Sequence, residues 1–188
     1  MLKVESAAAA IHRLNPGIEV ICHNVRLTGA NAQALIEPYD LVADGSDSIE
    51  TRLAVHDACL AVGRTLVSAS VQGMNGQLTT YKAHLGPPHP CLRCLLPETP
   101  DARALPSCAQ AGVLGPAAGV VGTMQAVEVV KEIMEIGRSL SGELLLYDAM
   151  DAAIDRFRLR RRPACHAGCI HGRGQPAAAI AAVPGRIK

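Results

Sequence analysis

The stretch YDLVADGSDS, residues 39–48, constrains the fold more than any other. An apolar run of strand length breaks into Asp, Gly and Ser, and an amphipathic pattern, SIETRLAVHDACLAVGR, follows at once. A buried strand running through a polar loop into a helix is the repeating unit of a parallel sheet. Ser48 is placed to cap the helix, with Glu50 in its first turn. Asp44 and Asp47 then fall at the carboxyl end of a strand, where open α/β sheets bind ligands. Two carboxylates there can hold Mg2+ through water and orient a nucleotide's phosphates. The same residues suit an Asx turn with helix capping, so both readings stay open.

The flanking segments continue the alternation. VESAAAAIHRLNPG reads as a helix stopped at Asn15-Pro16-Gly17. IEVICHNV, residues 18–25, alternates and is rich in Ile and Val, as a strand is. NAQALIEP reads as a short helix ended by Pro38. Residues 65–73 and 76–85 read as strands joined by a turn at Met74-Asn75-Gly76, because Asn-Gly is a strong hairpin signal. A Pro-rich segment, residues 95–107, reads as a mobile loop, and a helix follows over residues 115–137. ELLLYDA and IDRFRLRRR read as two closing strands. The expected fold class is α/β: a Rossmann-like, mostly parallel sheet with an antiparallel extension. One domain is expected over residues 1–172, with a flexible Ala/Pro-rich tail over 173–188.

Composition narrows the partners. Aromatic residues are 2% of the 188, with no Trp and one Phe, so the core must be built from Ala, Val, Leu and Ile. So few rings also leave little for base stacking. Net charge is +1, which implies no polyanionic partner. The basic run RFRLRRRP alternates as an edge strand with one solvated face, and no nucleic acid is expected as partner. Residues 111–130 form the longest apolar stretch, but they contain Gly, Pro, Gln125 and Glu128. That is a buried helix and not a membrane span. No secretory signal is visible, so the expected location is cytoplasmic and reducing. Seven cysteines in such a compartment bind metal or do chemistry more often than they form structural disulfides.

The cysteines fall into groups. HPCLRCLLPE holds Cys91 and Cys94, and PACHAGC holds Cys165 and Cys169. Two pairs far apart in sequence fit a four-thiolate zinc site that pins the end of the chain to the loop after the hairpin. The second pair has C-x3-C spacing where C-x2-C is usual, so His166 or His171 could replace a thiolate. A redox pair at Cys91 and Cys94 is the competing reading. It would want a helix start after a strand, and these cysteines lie between prolines and before a loop. Cys108 lies between the Pro-rich loop and the small-residue helix. It is either a nucleophile of lowered pKa or a small packing residue. Cys22 and Cys59 lie within apolar patterns and are expected in the core.

Taken in order, YDLVADGSDSIETRLAVHDAC, VSASVQGMNGQLTTYK, PCLRCLLPE, CAQAGVLGPAAGVVGTMQAVEVVKEIM, LLLYDA and the late cysteine pair resemble the MoeB/ThiF/HesA adenylyltransferases, relatives of ubiquitin-activating enzymes. The resemblance runs from about residue 3 to about residue 169 and is nearest the molybdopterin-synthase branch. It implies use of ATP and Mg2+ to adenylate the C-terminal glycine of a ubiquitin-like sulfur-carrier protein ending in Gly-Gly. Sulfur then replaces AMP. It also implies a homodimer. Lys3 matches the lysine on the ATP phosphates and Asp47 the aspartate that works with Mg2+ and nucleotide. Ser48 stands where an Asn is usual. Cys108 matches a cysteine that carries the activated acyl group in some members. Cys91, Cys94, Cys165 and Cys169 match the zinc ligands (Zn2+).

In the family a strand, a glycine-rich loop and a helix precede the position of Lys3, whereas this sequence starts at Met1. The first strand–loop–helix unit is therefore expected to be missing, and with it part of the phosphate site. The alternative function is then a non-catalytic, zinc-stapled module that binds a sulfur-carrier protein.

Overall fold

The computed structural model describes residues 1–96, 112–163, 165 and 181–182. Its elements are α1 (Lys3–Leu14), α2 (Ala32–Ile36), β1 (Leu41–Asp44), α3 (Ile49–Val62), β2 (Thr65–Gln72), β3 (Asn75–Tyr81), α4 (Leu92–Leu95), α5 (Gly115–Met134), β4 (Glu143–Asp148), β5 (Ala153–Arg158) and β6 (Ala181–Ala182). A 3-10 turn, Ala83–Leu85, follows β3. The strands form one sheet in the order β1-β2-β3-β4-β5-β6. β1 and β2 run parallel, Leu41 beside Thr65, and the other neighbours are antiparallel.

Both faces of the sheet are covered, and β2 shows how. Leu66 packs with Val55, Ala58 and Cys59 of α3 and with Ala32 and Ile36 of α2. Its neighbour Val67 packs on the other face with Leu78, Leu145 and Val121 of α5. Successive strand residues point to opposite faces, so an unbroken apolar run serves two cores. The α/β class and the antiparallel extension are those read from the sequence. The parallel part is shorter, because residues 18–25 join no strand.

That segment carries a strand pattern, yet Ile18, Ile21 and Val25 are at least half exposed. A strand exists only through its ladder, and among the described residues none pairs with this one. Cys22 is consequently exposed and not in the core, whereas Cys59 is buried as expected. The hairpin also differs from expectation. Gln72 pairs with Asn75, so the turn is Gly73-Met74, and Asn75 and Gly76 already belong to β3. Gly73 has φ +59°, which a two-residue hairpin of this kind needs at its first position. Gly76 serves packing: a Cβ there would lie 2.3 Å from Val121 Cγ2.

Ser48 caps α3 as read, its Oγ accepting the Thr51 N–H at 3.0 Å. The Pro-rich segment lies outside the described residues beyond Leu96, and of the tail only β6 is described. Among the described residues no helix is long and apolar enough to cross a membrane.

Candidate functional site

The loop after β1 is fastened from two helices. Asp44 ends the strand, and its Oδ1 accepts the Ser46 N–H at 2.9 Å, which is the Asx turn. Gln125 of α5 donates from Nε2 to the carbonyls of Asp44 and Val67, each at 3.0 Å. Arg52, one turn into α3, donates from Nε (3.0 Å) and Nη2 (2.7 Å) to the Ser46 carbonyl. The same Nη2 reaches the Ala69 carbonyl at 2.9 Å. The guanidinium is buried, and its planar fork fixes the turn against the middle of β2. Between these anchors Gly45 and Asp47 are exposed. The Asp47 carboxylate thus faces solvent from a held backbone, at the carboxyl end of the parallel pair β1 and β2.

Asp44 is 6% exposed, and its Oδ2 is buried without a hydrogen-bond partner, as is Ser46 Oγ. A carboxylate oxygen in that position is costly unless a donor or cation meets it. These atoms, with Asp47, give the turn the donor set that a hydrated divalent ion or a sugar hydroxyl would use. Lys3, at the first residue of α1, is exposed. Among the described residues no hydrogen bond or ion pair joins it to the Asp47 turn. Cys108 lies outside the described residues.

The second feature is the cysteine cluster. Cys91, Cys94 and Cys165 are buried, and their sulfurs all lie within 4.8 Å of one another. The Cys91–Cys94 and Cys91–Cys165 separations are both 3.6 Å. That is too long for a disulfide bond of about 2 Å. It is close to the edge of about 3.8 Å that tetrahedral Zn–S bonds of about 2.3 Å require. Three converging thiols, and not two, favour metal binding over a redox pair, although Cys91 does stand directly before the single helical turn of α4. Its hydrogen bond with Cys91, and then burial, push the Cys94 thiol up. Cys94 Sγ also accepts the Arg162 N–H at 3.4 Å. Arg161 ties the parts together, donating to the His89 carbonyl at 2.6 Å and from Nε and Nη2 to the Cys165 carbonyl. Cys169, His166 and His171, the candidates for the fourth position, lie outside the described residues.

Arg52 and Gln125 were not legible as site residues. Each is a polar residue in an amphipathic or apolar helix, where it normally reads as solvated, and only the sheet end supplies the carbonyls they hold.

The ThiF family model matches residues 1–167. The chain is 48% identical over 166 residues to the adenylyltransferase and sulfurtransferase MOCS3 of Sus scrofa, covering 88% of this chain and 36% of that protein. It is 42% identical over 161 residues to the sulfur carrier protein adenylyltransferase of Thermus thermophilus, covering 85% of this chain and 59% of the relative. The chain thus spans between about a third and three-fifths of these curated relatives. Among solved structures, E. coli MccB with SeMet MccA superposes with a TM-score of 0.70 at 18% identity, over 88% of this chain and 50% of that one. E. coli MccB with ATP gives 0.69 at 16% identity, over 89% and 51%. These two likenesses concern the fold.

Proposed function

We infer, because the chain belongs to the ThiF family, that it is an ATP-dependent adenylyltransferase domain that activates the C-terminal glycine of a ubiquitin-like sulfur-carrier protein. Relatives over 40% identical carry adenylyltransferase names, and one names a sulfur carrier protein as what it acts on. The observation that carries the reading is the Asp47 turn: an exposed carboxylate on a backbone held by Arg52 and Gln125.

A free carboxylate is a poor electrophile. The carrier's C-terminal carboxylate oxygen attacks the α-phosphorus of ATP, and the bond to the bridging oxygen breaks. Pyrophosphate leaves with that electron pair. The product is a mixed anhydride from which sulfur can displace AMP. Such a step needs positioning and charge neutralisation more than covalent help. Asp47 would hold Mg2+ through its water shell, Ser48 lines the same turn, and Lys3 would neutralise phosphate charge. Cys108 matches the position of a cysteine that carries the activated acyl group in some members of the family. Cys91, Cys94, Cys165 and Cys169 would hold a structural Zn2+. When bound, that ion would close the C-terminal part onto the loop after β3. The enzyme works in the cytoplasm as a homodimer, for which exposed Val120, Val127 and Met134, seven residues apart on α5, offer a face.

The test is carrier-dependent ATP–pyrophosphate exchange. Exchange should require both Mg2+ and a Gly-Gly-ended carrier, and Asp47→Ala should lower it about a hundredfold. Carrier binding with no exchange, indifferent to nucleotide, would replace this reading with the non-catalytic binding module.

A further inference from the structure

Between Cys91 and Cys94 lie Leu92 and Arg93, and α3 grips both. The Leu92 N–H donates to His56 Nε2 at 3.1 Å. Because Nε2 accepts, the imidazole proton sits on Nδ1, and Nδ1 donates to Asp57 Oδ1 at 2.9 Å. The other oxygen of Asp57 accepts from Arg93 Nη2 at 2.5 Å. The path is closed: Leu92 backbone, His56 ring, Asp57 carboxylate, Arg93 side chain. The His56 ring is 2% exposed and stands edge-on to buried Tyr81, with centroids 5.8 Å apart at 83°, so it has no room to turn. Burial opposes ionisation of Asp57, but the hydrogen bonds from His56 and Arg93 outweigh it and hold the carboxyl below its usual range.

We propose that His56 and Asp57 are positioning residues for the metal knuckle: they fix the Cys91-Leu92-Arg93-Cys94 backbone so that its two sulfurs are set for the ion before it binds. This rests on the metal reading of the cysteines. The physical reason is specific to the spacing. Two thiolates three residues apart meet one ion only if the backbone between them keeps its turn. The Cys94 N–H closes that turn on the Cys91 carbonyl at 2.9 Å, and the Leu92 N–H inside it is held from outside by His56. Groups that orient metal ligands from behind are commonly worth ten- to a hundredfold in affinity.

The test is zinc affinity by competition with a chromophoric chelator at fixed neutral pH, together with the cobalt(II) absorption spectrum of each variant. His56→Ala should weaken zinc about 10- to 100-fold and alter the cobalt ligand-field bands. The melting point of its metal-free form should move little by comparison. His56→Asn, whose side-chain oxygen can accept from Leu92, should recover part of the affinity. Asp57→Ala and Arg93→Ala change a half-exposed and a quarter-exposed side chain and serve if His56→Ala does not fold. Each should weaken zinc, and the double variant should weaken it by less than the product of the two. Folded variants that bind zinc as the wild type does, with the same cobalt spectrum, overturn the proposal while leaving the metal site standing. A wild-type chain that takes up neither ion overturns the metal reading, and this proposal with it.

Discussion

Cys22 and Cys59 show how far one residue type can diverge in a single chain. Cys59 is 2% exposed at the centre of the α3 core, and burial, with the nearby Asp44 charge, pushes its thiol up to about 12. At pH 8 so little thiolate remains that reaction is slowed about a thousandfold by ionisation alone. Alkylation followed by peptide mass spectrometry should therefore label Cys22 in the native protein and leave Cys59 unmodified until denaturant is added. Equal labelling rates for the two would contradict the packing of α3. From the sequence alone both looked buried, because both lie in apolar patterns. Pattern reports what a residue could face, but whether a neighbour is there to face it is a non-local fact. Asp47, Ser48 and the cysteine pairs were legible for the opposite reason. Turn chemistry, capping and ligand spacing are local, and the sequence displays them directly. Arg52, Gln125 and His56 were not, since the backbone groups they hold lie 6 to 81 residues away.

At the scale of elements, α5 is fixed to the sheet by more than apolar contact. Glu128 is 2% exposed in the middle of the helix. Its Oε1 accepts from Thr80 Oγ1 at 3.0 Å and from the Leu140 N–H at 2.7 Å, and its Oε2 pairs with Lys131. One carboxylate thus ties α5 to β3 and to the loop entering β4. Glu128→Ala would strand a buried hydroxyl and a buried N–H, at about 2–4 kcal/mol. Equilibrium urea unfolding should show that loss, and a change under 1 kcal/mol would mean the pair is not buried as described. The hairpin teaches a related lesson. Asn75-Gly76 carries the strongest turn signal in the region, yet the turn falls two residues earlier, at Gly73-Met74. Gly76 is required by Val121 of α5, so a glycine that looked like turn chemistry answers to packing. Residues 18–25 are the largest misreading. Their alternation is that of a strand, but strand formation is decided by a partner, and the described sheet ends at β1.

Across the whole molecule, α3 is the common support. It begins at the Asp47 turn with the Ser48 cap, anchors that turn through Arg52, and holds the cysteine knuckle through His56 and Asp57 at its middle. From Ser48 to Asp57 these features lie along about 14 Å of one rigid element. If the cysteines hold zinc as proposed, removing it should loosen the C-terminal part first. Denatured protein should release about one ion per chain. Chelation should lower the melting temperature, and readdition of zinc should restore it. A melting curve that chelator leaves unchanged would argue that the thiols bind no structural ion.

The central claim is that the turn after β1 handles a magnesium nucleotide through Asp47. Calorimetric titration of ATP with Mg2+ into the purified chain, beside Asp47→Ala, tests it most directly. The account predicts measurable binding by the wild type, lost when Mg2+ is withheld and weakened at least about tenfold by Asp47→Ala, roughly the worth of one charge-assisted contact. Absence of binding by folded, metal-loaded protein, or identical binding by the variant, would contradict it.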